Sequence, residues 1–306
     1  METKILFLSA ALLAASCTGL QDGAVSKLEV RLELAEEPGL RAAASDAEKA
    51  LVSRTVFVFD ESGSLLGKLD GSGATLTTQV GKGTVCHLAA LANCPSIAES
   101  IGSEQAFRDA TVPFEANSPG NMVMRTPSVT SVEMSSDKSV TLTLERLASK
   151  VLISGGISFD FGINSPYRTT QNEIRSVFLM SVPAAQALVN TIAEPALYNN
   201  GGISIDADGH VSGVPALCLL NCPAGTTSLD TPLSFYCYPN PSPEASSEGG
   251  ADSVTKIIVC ASLGGTLHYY PIGLGNAGSD RYYDIPRIII DRPGASTPGS
   301  YALSAD

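Results

Sequence analysis

The chain has 306 residues, 44% of them apolar, and a formal net charge of -12 with only 19 Lys and Arg. That apolar content is enough to bury real cores, which excludes a disordered chain, and the scattered basic residues supply no stripe for a nucleic-acid partner. The chain beyond its first residues lacks the run of about 20 apolar residues that a membrane-spanning helix needs, since the segment from Ser176 to Leu197 is broken by Pro183, Gln186, Asn190 and Glu194.

Residues 1–16 read as an export signal: Lys4 gives a thin positive start and Ile5 to Ala15 is an apolar run, too short to cross a bilayer. The run ends in Ala14-Ala15-Ser16-Cys17, which resembles the bacterial lipobox, with alanine at the position where that pattern favours leucine. The resemblance implies that Cys17 takes lipid and anchors the exported protein to a membrane. Anchoring of this kind is stable when more than one acyl chain is attached.

After the leader the signals are those of strands. "KLEVRLEL" alternates from Lys27 to Leu34, placing Leu28, Val30, Leu32 and Leu34 on one face and charges on the other. Next comes "EEPGLRAAASD", where Pro38 and Gly39 set Arg41 in an exposed loop of the kind proteases enter. Ala42 to Val52 carries the best helical signal, with Ser45 as cap and Glu48 three residues later. "RTVFVFD", "TLTTQV", "GTVCHLAALAN", "NMVMRT", "SVEMSS" and "SVTLTLERL" continue the strand series, interrupted by a weaker helical signal from Ser103 to Asp109.

A second series starts at "KVLISGGISFDFG" and runs through "IRSVFLMSV", "GGISI", "HVSG", "LSFYCYP", "KIIVCASLGG", "LHYYPIGL" and "YYDIPRIIID", with a weak helical signal from Ala184 to Ala193. The last strand of the first series meets the first strand of the second near Leu147 to Lys150. The pattern therefore predicts two antiparallel β-sandwiches in tandem, one over residues 17–148 and one over 149–306.

Signatures of chemistry are sparse. There is no phosphate loop, no zinc-protease motif and no nucleophile elbow, and the three histidines stand in no metal or catalytic spacing, so the expectation is a non-enzymatic protein without cofactor or metal. "DADGH" from Asp206 to His210 lacks the third ligand and distal glutamate of a calcium loop and reads as an Asp-Gly hairpin turn. Cys86, Cys94, Cys218, Cys222, Cys237 and Cys260 admit buried thiols, one or two disulfides, or zinc, the last weakened by having only His87, His210 and His268 and no pair of two-residue-spaced cysteines. Cys86 and Cys94, if on one strand, would lie about 26 Å apart, too far for a bridge. The tyrosines of "YCY", "HYY" and "RYYD" either pack the core or form a face on which a glycan stacks.

The order of lipobox, alternating strand, arginine loop, "VFVFDESGSLL", "HLAALANCP", "LERLASKVLIS", "FYCYPNPSP" and "LHYYPIGL" resembles the fimbrillin family, the lipoprotein-derived type V pilins of Bacteroidales. The resemblance spans nearly the whole chain after the leader. It implies an all-β fold of two tandem transthyretin-like sandwiches with Greek-key connections. It also implies a surface fimbrium subunit with a role in adhesion, held at the outer membrane by lipid on Cys17. In such proteins the first strand fills a groove until an arginine-specific protease cuts behind it and a strand from a neighbouring subunit takes its place.

Carried to this chain, Leu28, Val30, Leu32 and Leu34 would mark the displaceable strand, and the cut would fall between Arg41 and Ala42. Lipid and plug would leave together. The far end departs from the family pattern: "RPGASTPGSYALSAD" has no alternating strand, and Pro286 interrupts "YYDIPRIIID", the other candidate donor. Shaft, anchor and tip roles all stay open. The rival expectation is a non-polymerising outer-surface lipoprotein that binds a glycan or host protein through its tyrosines.

Overall fold

A computed structural model describes residues 24–35, 45–192, 196–198, 203–240, 254–274 and 282–297. Cys17, Arg41 and Ala42 lie outside the described residues. The alternation at Lys27 to Leu34 has its expected consequence: β1 (Val25–Leu34) is extended, with Leu28, Val30 and Leu32 buried and Leu34 half-buried. Ser45 caps α1 (Asp46–Lys49) in a capping box with Glu48, and Ser103 caps α3 (Glu104–Asp109). Between them, α2 (Pro95–Ser100) begins at a proline suited to a first helical turn.

The first sandwich continues with β2 (Arg54–Asp60), β3 (Leu65–Gly71), β4 (Thr75–Gly81), β5 (Val85–Ala92), β6 (Thr111–Pro113), β7 (Met124–Arg125), β8 (Thr130–Glu133) and β9 (Lys138–Arg146). Its strands run in the order β3-β2-β5-β7-β9-β1-β4, with β8 also on β5. After β9 come β10 (Ser149–Ile153), β11 (Ile157–Phe159), β12 (Asn172–Met180), β13 (Val182–Pro183), β14 (Ala185–Ala187), β15 (Leu197–Tyr198), β16 (Ser204–Ile205) and β17 (Val211–Ser212). The chain then forms β18 (Leu219–Asn221), β19 (Ser228–Leu229), β20 (Leu233–Cys237), β21 (Lys256–Leu263), β22 (Thr266–Gly273), β23 (Tyr282–Ile285) and β24 (Ile288–Ile290).

Strand pairing exposes a duplication that the sequence does not show as a repeat. In the first half, β1 pairs antiparallel with β4 and parallel with β9, while β2 pairs with β3 and β5, and β5 with β8. In the second half, β10 pairs antiparallel with β20 and parallel with β23, while β12 pairs with β18 and β21, and β21 with β22. Each half is therefore antiparallel except where its opening strands lie beside its closing ones, β1 on β9 and, in the second half, β10 on β23 and β11 on β24. The short strands β11, β19 and β24 extend this arrangement past a bend at Gly155 and Gly156.

The two sandwiches share one continuous apolar core, in which Leu28, Phe57 and Phe107 belong to the same packed cluster as Val151, Tyr238 and Ile257. A direct ladder also joins them, because β14 pairs with β6. That pairing corrects the helical expectation for Ala184 to Ala193: Ala185–Ala187 is a strand, because cross-chain hydrogen bonds to Thr111–Pro113 outweigh the modest helix preference of alanine and glutamine. Cys94 is likewise not part of the β5 strand but the residue before α2, since Asn93 turns the chain with φ 63°. All six cysteines from Cys86 to Cys260 are free and buried. Asp206 to His210 forms the hairpin turn between β16 and β17, with Gly209 at φ +81°.

Candidate functional site

β1 lies between β4 and β9, one strand in from the end of its sheet. On one side Val25 to Arg31 are in register with Gly81 to Thr75 of β4; on the other, Leu28 to Leu34 run beside Lys138 to Leu144 of β9. Among the described residues β4 has no other ladder partner. Take β1 away and β4 and β9 stand about 10 Å apart, two interstrand spacings, leaving a slot one strand wide with unpaired N–H and C=O groups on both walls.

The floor of that slot is apolar. Leu28 and Val30 are completely buried and Leu32 is 5% exposed, all pointing into the core beneath. The opposite face is wet, where Lys27 pairs with Glu29 at 3.2 Å and Arg31 with Glu33 at 3.0 Å across largely exposed side chains. Such surface pairs contribute little, so the strand is held by its ladder and its buried leucines and valine. Four further contacts fix its register: the N–H groups of Lys27, Leu32, Lys82 and Ala35 donate to Asp137 Oδ1 (2.8 Å), Ala74 O (3.0 Å), Ala24 O (2.7 Å) and Leu144 O (2.8 Å) respectively.

Downstream of the 36–44 segment the chain is pinned at once. Glu48 of α1 is buried at the junction of the sandwiches, where it accepts from the Tyr236 hydroxyl and from Lys150 Nζ at 2.9 Å, with Arg146 Nη1 at 3.5 Å. Burial acts most strongly on its carboxyl and pushes the pKa up, but the hydrogen bonds from Tyr236, the Ser45 amide and Lys150 together leave it below the ordinary value. Asn93 secures the next stretch: Oδ1 accepts from Val52 N at 2.8 Å, and Nδ2 donates to Ala50 O at 2.7 Å.

Tyr238, just past the end of β20, makes the second junction contact: its hydroxyl accepts from Asn117 Nδ2 at 2.9 Å and its ring stands edge-on to Phe114. The "YCY" tyrosines are thus mortar between the sandwiches, and Tyr269 of "HYY" is 7% exposed. Sequence reasoning missed Lys150, Arg146 and Tyr236 as partners of Glu48. The only local signal was an acidic residue in a capping box.

At the far end, "YYDIPRIIID" forms β23 and β24, an outer strand pair lying parallel to β10 and β11. Past it the chain crosses to the other sheet, where Ala295 and Tyr269 exchange two backbone hydrogen bonds of 2.9 Å. The histidines make local contacts: His87 Nδ1 lies 2.6 Å from Glu104 Oε2, His210 Nε2 3.2 Å from Cys222 O, and His268 Nδ1 3.2 Å from Gly294 O. Among the described residues no group of three His, Cys, Asp or Glu side chains could hold a metal ion, and no helix is long and apolar enough to cross a membrane.

The fold, two all-β sandwiches in tandem, is shared with solved structures from Bacteroides and Parabacteroides. No protein-family model and no curated sequence matches the chain. Among solved structures it is similar to a candidate cell adhesion protein of Bacteroides eggerthii, with TM-score 0.63 at 16% identity over 92% of this chain and 93% of that one. It is also similar to two of Parabacteroides distasonis, one with TM-score 0.58 at 16% identity over 92% of this chain and 96% of that one, and one with TM-score 0.57 at 16% identity over 89% and 95%.

Proposed function

We propose that the protein is a non-enzymatic structural subunit of a cell-surface fimbrium, with a role in adhesion. In this reading residues 1–16 are a lipoprotein signal, 17–148 and 149–306 are the two sandwich domains, and Cys17 carries the lipid that holds the precursor at the outer membrane. An arginine-specific protease cuts between Arg41 and Ala42, and β1 leaves with the lipid. A strand of another subunit then fills the slot. The carrying observation is the position of β1: a ten-residue strand bounded on both sides by ladders, joined to the rest of the chain only through the segment that bears Arg41. The order of motifs and the likeness in fold to candidate cell adhesion proteins support the same reading.

The alternative, a lone lipoprotein that binds a glycan or host protein through its tyrosines, has less behind it, since Tyr236, Tyr238 and Tyr269 are buried and, of the described tyrosines in those clusters, only Tyr270 and Tyr283 are half-buried. The test is to cut the chain lacking its leader with an arginine-specific protease and add a labelled peptide covering residues 24–35. Release of the native strand and uptake of the label, together with protease-dependent multimers, is the expected result. A cut chain that keeps its strand, takes up no label and stays monomeric overturns the proposal.

A further inference from the structure

We infer that Glu48 determines where maturation stops: its buried contacts hold Ser45 to Arg54 against the second sandwich, so that an arginine-specific protease removes the chain up to the 36–44 segment and goes no further. This rests on the reading above, in which the protease acts at Arg41.

The slot can accept a new strand only if the sandwich around it survives the cut. Beyond the 36–44 segment lie Arg54, the next residue such a protease could use, half-buried at the start of β2, and the exposed Lys49, a site for a protease that also takes lysine. Cutting after Arg54 would sever α1 and the linker from β2, the strand that carries Val56, Phe57, Val58 and Phe59 of the core. Proteases cut exposed or locally opened chain, so access to Arg54 requires the stretch before β2 to lift away from the body.

Glu48 opposes that lifting. Its side chain is 7% exposed, and the residues it meets, Arg146, Lys150 and Tyr236, belong to β9, β10 and β20, none of which lies in the segment that the cut removes. Its second oxygen accepts from the Ser45 amide at 2.5 Å, which closes the capping box and ties the helix start to the same anchor. Pulling α1 out would strand Lys150 in a buried site without this carboxylate, a costly outcome. Asn93 and the Arg54 guanidinium, which donates to Ser72 O at 2.7 Å, hold the downstream half.

The experiment is timed digestion of the full exported chain by trypsin, with products sized by mass, on wild type, Glu48→Gln and Tyr236→Phe. In wild type the new amino terminus is expected to stay at Ala42. Glu48→Gln should add fragments beginning at Ala50 and Thr55 at a rate at least ~10-fold higher, and Tyr236→Phe, which keeps the packing volume, should do so more weakly. Cleavage after the remote, exposed Arg168 should be unchanged, which separates local lifting from global unfolding. Wild-type rates at Lys49 and Arg54 in both variants would overturn the inference. Failure of the fimbrial reading shows separately, as no cut at Arg41 or no strand uptake after it.

Discussion

Gly155 lies against the carbonyl of Pro286: a Cβ on Gly155 would stand 2.1 Å from that oxygen. The break that proline forces between β23 and β24 is matched across the ladder by the Gly155-Gly156 bend between β10 and β11. Pairing resumes on the far side, with Ile288 N donating to Gly156 O at 3.0 Å. A proline inside a candidate strand is thereby absorbed by two glycines some 130 residues earlier, roughly as bulges absorb irregularity elsewhere.

Gly155→Ala should therefore destabilise the chain by about 1 to 3 kcal/mol, the range for forced overpacking, because the clash is with backbone that no rotamer change relieves. Gly162→Ala, with open space at its Cβ, is the control and should be near neutral. Thermal unfolding of the two variants side by side checks this.

Leu28→Ala removes a wholly buried side chain from the middle of the slot and should cost about 2 to 5 kcal/mol in the uncut protein. After cleavage in the 36–44 segment the same loss should appear as faster departure of the strand, on the order of tenfold for each 1.4 kcal/mol. Val25→Ala, at a position 60% exposed, should change neither quantity. Denaturant titration of the uncut chain and label uptake by the cut one supply the two readings.

Glu48 makes the junction acid-sensitive. Its folded pKa lies below the ordinary glutamate value of 4.5, so its contribution is fully present above about pH 4.5 and is lost as pH falls through the lower folded value. The melting temperature of wild type should thus drop more steeply below pH 4.5 than that of Glu48→Gln, although the variant starts lower at neutral pH. Parallel acid limbs for the two proteins would contradict this.

Burial raises the thiol pKa of Cys237 to about 12 and of Cys222 and Cys260 to about 11, so at pH 8 only roughly one part in 10³ to 10⁴ of each is thiolate. Native protein should leave all six described cysteines unalkylated at that pH, and unfolding without any reductant should expose all six to alkylation. Mass analysis counts the adducts, and a requirement for reductant would show a disulfide instead.

Local chemistry in the chain was sufficient for what depends on neighbours in sequence. The two-residue alternation of Lys27 to Leu34 announces a strand and names its buried face, and Ser45 with Glu48, like Ser103 before α3, announces a helix start. The meeting of β9 and β10 near Leu147 was visible as one apolar run ending where another began. These features follow from side-chain periodicity and from unsatisfied amides at a helix end, which residues a few positions apart decide among themselves.

Partnership across the fold was not legible there. Nothing in "KLEVRLEL" says that β9 runs parallel beside it, and nothing near Glu48 points to Tyr236, 188 residues away. Ala184 to Ala193 favours a helix by propensity, yet Ala185–Ala187 within it pairs with Thr111–Pro113, because that strand lies within reach. The amino-acid order by itself determined which residues would be extended and which faces would turn from water. The packed tertiary structure alone decided which strands lie side by side and which buried charges meet, because ladder hydrogen bonds and desolvated ion pairs depend on what the whole chain brings together.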